Sequence, residues 1–368
     1  MSTHLAVPAV GYEEHIWVAE SDGRSGRARR AAASGPYRSV VPARIRDYSP
    51  ALPADVAADL EEAASALAQF GTYAASVLGS SGLMLAPMGA ILLRTESSSS
   101  SQIEQLTVGA RQLALAEISQ STSDNATTVI GNVRAMETAL RIPVPITQES
   151  ILAIHRALLS HQSGWEAHAG HYREQLVWVG RSGLGPRAAS HVAPQHQLIH
   201  DAMSDLTAFL SRVDLPTLLQ VAVSHAQFET IHPFVDGNGR TGRALIHATL
   251  KASSLVTAMP VPLSAGLLTD TEGYFEALTA YRQGDALPIV QRFTDASRFA
   301  ATSSRDLIER LATQLDQDSK LLTDLRPQAN AWRVLPWLVA HPVINARLLT
   351  TELGLTDVAA QRALSQLT

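Results

Sequence analysis

The chain has 368 residues, 46% hydrophobic and 17% charged, which allows two or three domains with a large buried core. Its net charge of −5 supplies no general attraction to nucleic acid. With no cysteine, disulfides, thiol nucleophiles and cysteine zinc sites are excluded, which suits a reducing compartment.

In chain order, residues 1–45 mix acids, glycines and the arginines Arg24, Arg27, Arg29 and Arg30 without an apolar stretch of secretory type, and read as a flexible basic leader. Residues 46–125 read as an N-terminal helical region. Its longest apolar run, residues 82–93, is too short to cross a bilayer, so no membrane partner is expected and the cytoplasm is the default compartment. The serine run at residues 97–101 precedes Ile103, Leu106, Ala110, Leu113 and Ala114 at helical spacing, which predicts a helix starting near Ser101. Ser101 and Glu104 stand in capping-box register there.

Residues 126–300 are expected to form the central domain. Thr147 is a good N-cap for a helix. Among the 13 histidines, His161, His168 and His171 lack HExxH spacing and read as polar surface residues. In residues 170–180, GHYREQLVWVG, the run Val177, Trp178 and Val179 before a turn-rich stretch at 181–186 predicts a hairpin. Leu218, Leu219, Ala222, Ala226 and Ile231 predict a helix that ends at His232, because Pro233 disfavours α conformation there.

Residues 232–243 read HPFVDGNGRTGR. A turn carrying Asp236, Gly237 and Asn238 leads to a second helix starting near Gly239, supported by Ala244, Leu245, Ala248 and Leu250. The unpaired amides of that helix would face the turn. Free amides at the positive end of a helix dipole attract anions, and Gly237 and Gly239 let backbone approach a phosphate. Arg240 and Arg243 share one face and can each grip phosphate oxygens, as a polyphosphate tail requires. Asp236 suits an oxygen ligand for magnesium between phosphates, and His232 can take a proton from an attacking hydroxyl. The alternative for each residue taken singly is an ordinary helix stop and glycine-rich turn.

Downstream, residues 273–278, GYFEAL, place Tyr274 in a helical pattern where aromatics usually serve the core. Residues 301–368 change character. A charged connecting helix over 304–322 is followed by helical patterns at 331–340, 346–353 and 358–367, which is helix-turn-helix spacing. Strand-type alternation is scarce from Val56 onward, so the fold class is mostly α.

The segment 232–243 matches HPFx(D/E)GNGRxxR at every specified position and resembles the signature of the Fic (Fic/Doc) proteins. Over roughly residues 50–300 the resemblance implies a Fic-type helical bundle with one β-hairpin flap. It also implies an AMP transferase, in which His232 would deprotonate a protein hydroxyl that attacks the α-phosphate of ATP. Asp236 would then hold magnesium, Asn238 with the amides around Gly237 and Gly239 the α-phosphate, and Arg240 and Arg243 the β- and γ-phosphates. Doc-type kinases lack the second arginine and have a lysine near the position of Gly239; neither departure occurs here, which favours AMP transfer over phosphorylation.

The same resemblance extends to the flap, Val177, Trp178 and Val179, which would pair with a Ser, Thr or Tyr segment of a protein substrate as an added strand, and to Tyr274 as an adenine contact. Ser100 and Glu104 match the pattern (S/T)xxxE(G/N) of an inhibitory helix N-terminal to the Fic core, with Gln105 departing from its last position. Glu104 would pair with Arg243 and keep basal activity low, and a second expectation is that it would orient a water for AMP removal. The C-terminal segment is similar to the winged-helix domain that often ends bacterial Fic proteins, ending before a wing. Rival readings are a DNA-binding regulator acting through that segment, although Arg362 is the only cation in its last helix, an interaction module or homodimer, and a Fic enzyme using another phosphate-containing donor.

Overall fold

A computed structural model describes residues 4–20, 26–78, 85–118, 120–160, 162–180, 184–256 and 259–367. Arg24, His161 and the start of the apolar run at Gly82 lie outside the described residues. The fold is mostly helical and carries two small antiparallel strand pairs.

The first pair corrects the expectation of a flexible leader. Strand β1 (Gly11–Trp17) and strand β2 (Gly35–Val41) pair in register from Gly11 opposite Val41 to Trp17 opposite Gly35, and helix α1 (Arg27–Ala33) lies between them, carrying Arg27, Arg29 and Arg30. Leu5 and Val7 ahead of the pair are buried. Their backbone is tied to the far end of the chain's central region: Val7 N donates to the carbonyl of Gly284 and Ala286 N to that of Leu5.

Helix α2 (Ala54–Leu78) buries a stripe of Val56, Leu60, Ala63, Leu67, Phe70 and Ala74, spaced for one helix face. Helix α3 (Leu85–Ile103) runs through the serine run and ends where a helix was expected to begin. Ser101 Oγ donates to Ser97 O at 2.8 Å, and Asn132 Nδ2 donates to both Ser97 O and Ser101 Oγ. Ser97, Ser100 and Ser101 are fully buried. Serines bonded back to the preceding turn are compatible with a helix interior, so these small residues form a packing face and the capping box does not form. Helix α4 (Ala110–Glu117) follows as a separate element.

Helices α5 (Asp124–Arg141) and α6 (Gln148–Leu159) pack closely at Gly131, where a Cβ would come within 2.4 Å of the Leu158 carbonyl. Thr147 caps α6 as expected. Strands β3 (Trp178–Val179) and β4 (His191–Val192) form the second pair. Helix α7 (Ile199–Leu210) leads to α8 (Thr217–Ile231), every residue of which from Leu218 is buried. A helix enclosed on all sides is the centre of its domain, and α9 (Asn238–Ala252), α11 (Thr271–Arg282) and α12 (Leu287–Lys320) pack around it, with α10 (Leu263–Leu268) against α12.

Helix α12 is continuous for 34 residues, so the division expected at residue 300 falls inside one helix. Helices α13 (Ala331–Ala340), α14 (Ala346–Leu353) and α15 (Asp357–Leu367) lie where the sequence places them and share a small core of Val334, Leu349, Leu355, Ala360 and Ala363. Among the described residues, no helix is long and apolar enough to cross a membrane.

Candidate active site

The bend between α8 and α9 is built from its local sequence. His232 ends α8 in the left-handed region (φ 50°, ψ 59°) while its amide still donates to Phe228 O at 2.9 Å, and Pro233 prevents the helix from continuing. Gly237, at φ 78°, precedes α9 without a side-chain cap, a conformation glycine adopts at little cost. The first amides of α9 are therefore left for a ligand or solvent.

Asn238 closes the bend: its Oδ1 accepts from Phe234 N at 2.8 Å and its Nδ2 donates to Phe234 O at 2.9 Å. Its carboxamide, expected on the α-phosphate, is thus engaged in shaping the loop, and its backbone amide is the group left at the helix start. Two residues that sequence reasoning passed over hold this loop from behind. His155 accepts from Gly170 N at Nδ1 and so donates from Nε2 to Asp236 O, both at 3.0 Å, with its ring stacked on Phe234. Arg173, buried within the quoted GHYREQL stretch, donates to the carbonyls of His232, Gln175 and Pro194, each at 2.8 Å. No local pattern marks either role; a buried cation or imidazole satisfied by carbonyls depends on tertiary neighbours.

The bend opens onto a cavity of about 470 Å³, within the range of small-ligand sites. His232, Asp236, Gly237, Gly239, Arg240 and Arg243 all line it. Arg240 Nη2 donates to Asp236 Oδ2 at 2.9 Å, and Arg240 Nη1 is buried without a hydrogen-bond partner among the described residues. Arg243, 1% exposed, is held by Ser100 and Glu104: Nε donates to Ser100 Oγ at 2.9 Å, and Nη2 to Ser100 O and Glu104 Oε1, each at 2.8 Å, while a Cβ on Gly239 would stand 3.0 Å from Nη1. Glu104 follows the end of α3 and lies across the start of α9, where a Cβ on Gly239 would stand 1.9 Å from its Oε1. Burial alone would raise the Glu104 carboxyl, but the charge and hydrogen bond of Arg243, helped by Arg240 and His232, hold it below its ordinary value.

Burial, reinforced by the Arg173 charge, pushes His232 down to about 4, so the imidazole is neutral and able to accept a proton at neutral pH. Its Nδ1 is buried 3.8 Å from Glu229 Oε2. Burial raises the Glu229 carboxyl to about 7 against the pull of Arg243. Glu229 stands one turn before His232, a spacing visible in the sequence that the motif overshadowed.

The remaining expectations divide. Trp178 and Val179 form the expected strand and line the cavity; Val177 lies just outside it, its carbonyl accepting from Ala193 N at 3.1 Å. Residues 181–183, part of the stretch expected to turn, lie outside the described residues. Tyr274 is 1% exposed with its hydroxyl 2.7 Å from His225 Nε2, and it also lines the cavity. Its neighbour Phe275, 48% exposed, lines the same cavity. The described residues contain no cluster of three or more metal-ligating side chains. Asp236 lines the cavity beside the α9 terminus, bonded to Arg240, a position that would suit a magnesium ion held by one carboxylate and a ligand's phosphates.

Residues 145–250 match the Fic/DOC family model. This stretch is a Fic/DOC domain. A Nematostella vectensis protein named protein adenylyltransferase Fic is 33% identical over 150 residues, covering 40% of this chain and 31% of that protein. A Caenorhabditis elegans protein named protein adenylyltransferase fic-1 is 30% identical over 165 residues, covering 45% of this chain and 28% of the other. The chain thus spans about a third of the length of the curated relatives it matches. In fold, the Fic domain and its surroundings are similar to a Fic family protein from Desulfovibrio desulfuricans G20, with a TM-score of 0.56, 22% identity and coverage of 80% of this chain and 86% of that one.

The buried histidines around the Fic loop set an acid limit on folding. His155 and His232 are pushed to about 4 and His225 to about 3, in each case chiefly by burial, from an ordinary value of 6.5. Such depressed groups contribute stability that is fully present above the unfolded value and is lost as pH falls toward the folded one. Glu229 acts in the opposite sense, since its raised value means stability present below its ordinary 4.5 and lost as pH rises through about 7. His191, beside His232, is lowered by burial in the same way, and with four imidazoles against one carboxyl the urea midpoint followed by circular dichroism should fall steeply from about pH 6.5 to about pH 4. A midpoint that stays level over that range would contradict this.

Proposed function

We propose that the chain is a protein adenylyltransferase that moves AMP from ATP to a Ser, Thr or Tyr hydroxyl of a protein, and that Glu104 restrains it. The observation that carries this reading is the convergence on one cavity of an uncapped helix N-terminus, two buried arginines and a neutral imidazole. The names of the curated relatives, protein adenylyltransferase, point the same way.

In this mechanism the amides at the start of α9 hold the α-phosphate, Arg240 takes the β-phosphate with its unpartnered Nη1, and Arg243 serves the γ-phosphate once Glu104 has left it. Asp236 would hold magnesium, which when bound neutralises charge on the phosphates. His232 takes the proton as the acceptor oxygen forms its bond to the α-phosphorus. The bond from that phosphorus to the bridging oxygen breaks, and the electron pair leaves with pyrophosphate. The flap at Trp178 and Val179 holds the acceptor segment as an added strand. With Glu104 on Arg243 the γ-phosphate lacks its clamp, and basal transfer is slow.

Incubation with α-labelled ATP and magnesium tests the reading by comparing the wild type, Glu104→Gly and His232→Ala. Weak, stronger and absent labelling of protein, in that order, is expected; labelling from γ-labelled ATP instead would replace AMP transfer with phosphorylation.

A further inference from the structure

Strands β3 and β4 pair over two residues each, too short a ladder to hold its shape unaided. What steadies it comes from the opposite end of the chain. Trp17, the last residue of β1, donates from Nε1 to Leu184 O at 2.8 Å and meets Trp178 edge to face at 5.3 Å, a geometry aromatic pairs favour. Gly185 is extended, but a Cβ there would lie 2.7 Å from the Trp17 ring, so the two backbones approach as closely as that ring allows.

Two further ties repeat the pattern. Arg187 Nη1 donates to Ser34 O at 2.7 Å and to Ala32 O at 3.1 Å. Gln195 Nε2, just past β4, donates to the hydroxyls of Tyr37 and Ser39 on β2, each at 3.2 Å. The strand pair is itself anchored on the other side of the cavity, where Val10 N donates to Arg282 O at 3.0 Å and Arg282 lines the same cavity. Residues 5–20 and 26–41 therefore bridge the C-terminal end of α11 and the flap, two walls of one site.

We propose that this N-terminal strand pair is the fixed brace of the flap and that Trp17 is a positioning residue for the protein acceptor. The role in transfer rests on the adenylyltransferase reading; the brace does not. Trp17 meets Leu184, Trp178 and Tyr37, on the flap and β2, so its action falls on the acceptor side of the site.

Trp17→Ala and Gly185→Ala, which removes the ring or pushes it from the flap side, test this by hydrogen exchange. The flap amides of Ser190 and Ala193, bonded to Val179 O and Val177 O, should exchange about tenfold faster in either variant, as loss of an aromatic pair and a hydrogen bond predicts. Amides of α8 and α9 should keep their protection. Should Trp17→Ala fail to fold, Gly185→Ala and Trp17→Phe, which keeps a ring but loses the indole donor, carry the same measurement. Unchanged flap exchange in a folded variant overturns the brace.

For the acceptor role, the variants are made in a Glu104→Gly background with α-labelled ATP. Label passed to the proteins of a cell extract should fall about tenfold relative to release of AMP to water. An equal fall in both, or in neither, removes Trp17 from acceptor positioning. Absence of magnesium-dependent ATP binding by the parent protein would instead count against the adenylyltransferase reading while the exchange result still judges the brace.

Discussion

Replacing Glu104 by glycine is expected to raise AMP transfer about a hundredfold, the scale on which one preorganised charge contact in a transition state acts. Glu104 Oε1 and both oxygens of Ser100 occupy Nε and Nη2 of Arg243, so Nη2 is turned to the carboxylate and not to a ligand. The carboxylate also lies against Gly239, over the amides that would receive phosphate. Removing it frees the guanidinium and uncovers the helix start, while the two Ser100 contacts keep Arg243 from being buried without partners. Glu104→Gln, which keeps the shape and loses the charge, should fall between. Initial rates with α-labelled ATP decide the matter: a glycine variant no faster than the wild type would remove Glu104 as a restraint without touching the chemistry assigned to His232.

His232→Ala in the Glu104→Gly background should lower transfer about a thousandfold with little change in the KM for ATP, the signature of a lost general base. The imidazole is neutral because burial and Arg173 disfavour its charged form, so it can take a proton over the whole neutral range. His232→Asn is the better-controlled companion, because asparagine tolerates the left-handed backbone that residue 232 adopts at φ 50°. If both variants retained transfer, the proton would leave the acceptor by another route, and Glu229, raised to about 7 and one turn away, would be the next group to replace.

The bend itself was legible because its determinants are local. Pro233 stops one helix, Gly237 permits the left-handed turn, and the following residues carry helical spacing. The three short C-terminal helices were legible for the same reason. The expected helix start at Ser101 is instead a helix end: a serine run looks like a polar helix start, and only the facing Asn132 and Arg243 make it a buried packing face. The leader was misread more completely. Strand β1 exposes Tyr12 and Ile16 and is held by Trp17, Val10 and Leu5 through partners more than 150 residues away, so neither composition nor periodicity encodes its order. Asn238 shows the same limit at one residue: the motif places it in the loop, but whether its amide meets a ligand or Phe234 depends on the fold.

Calorimetry of ATP binding to the Glu104→Gly protein, with and without magnesium, tests the central claim that the α8–α9 bend holds a nucleoside triphosphate. The expected result is saturable uptake of one ATP that weakens when Asp236 is changed to Ala or magnesium is withheld, and that weakens further in Arg240→Ala. No measurable heat or displacement by ATP in the folded, unrestrained protein would contradict it.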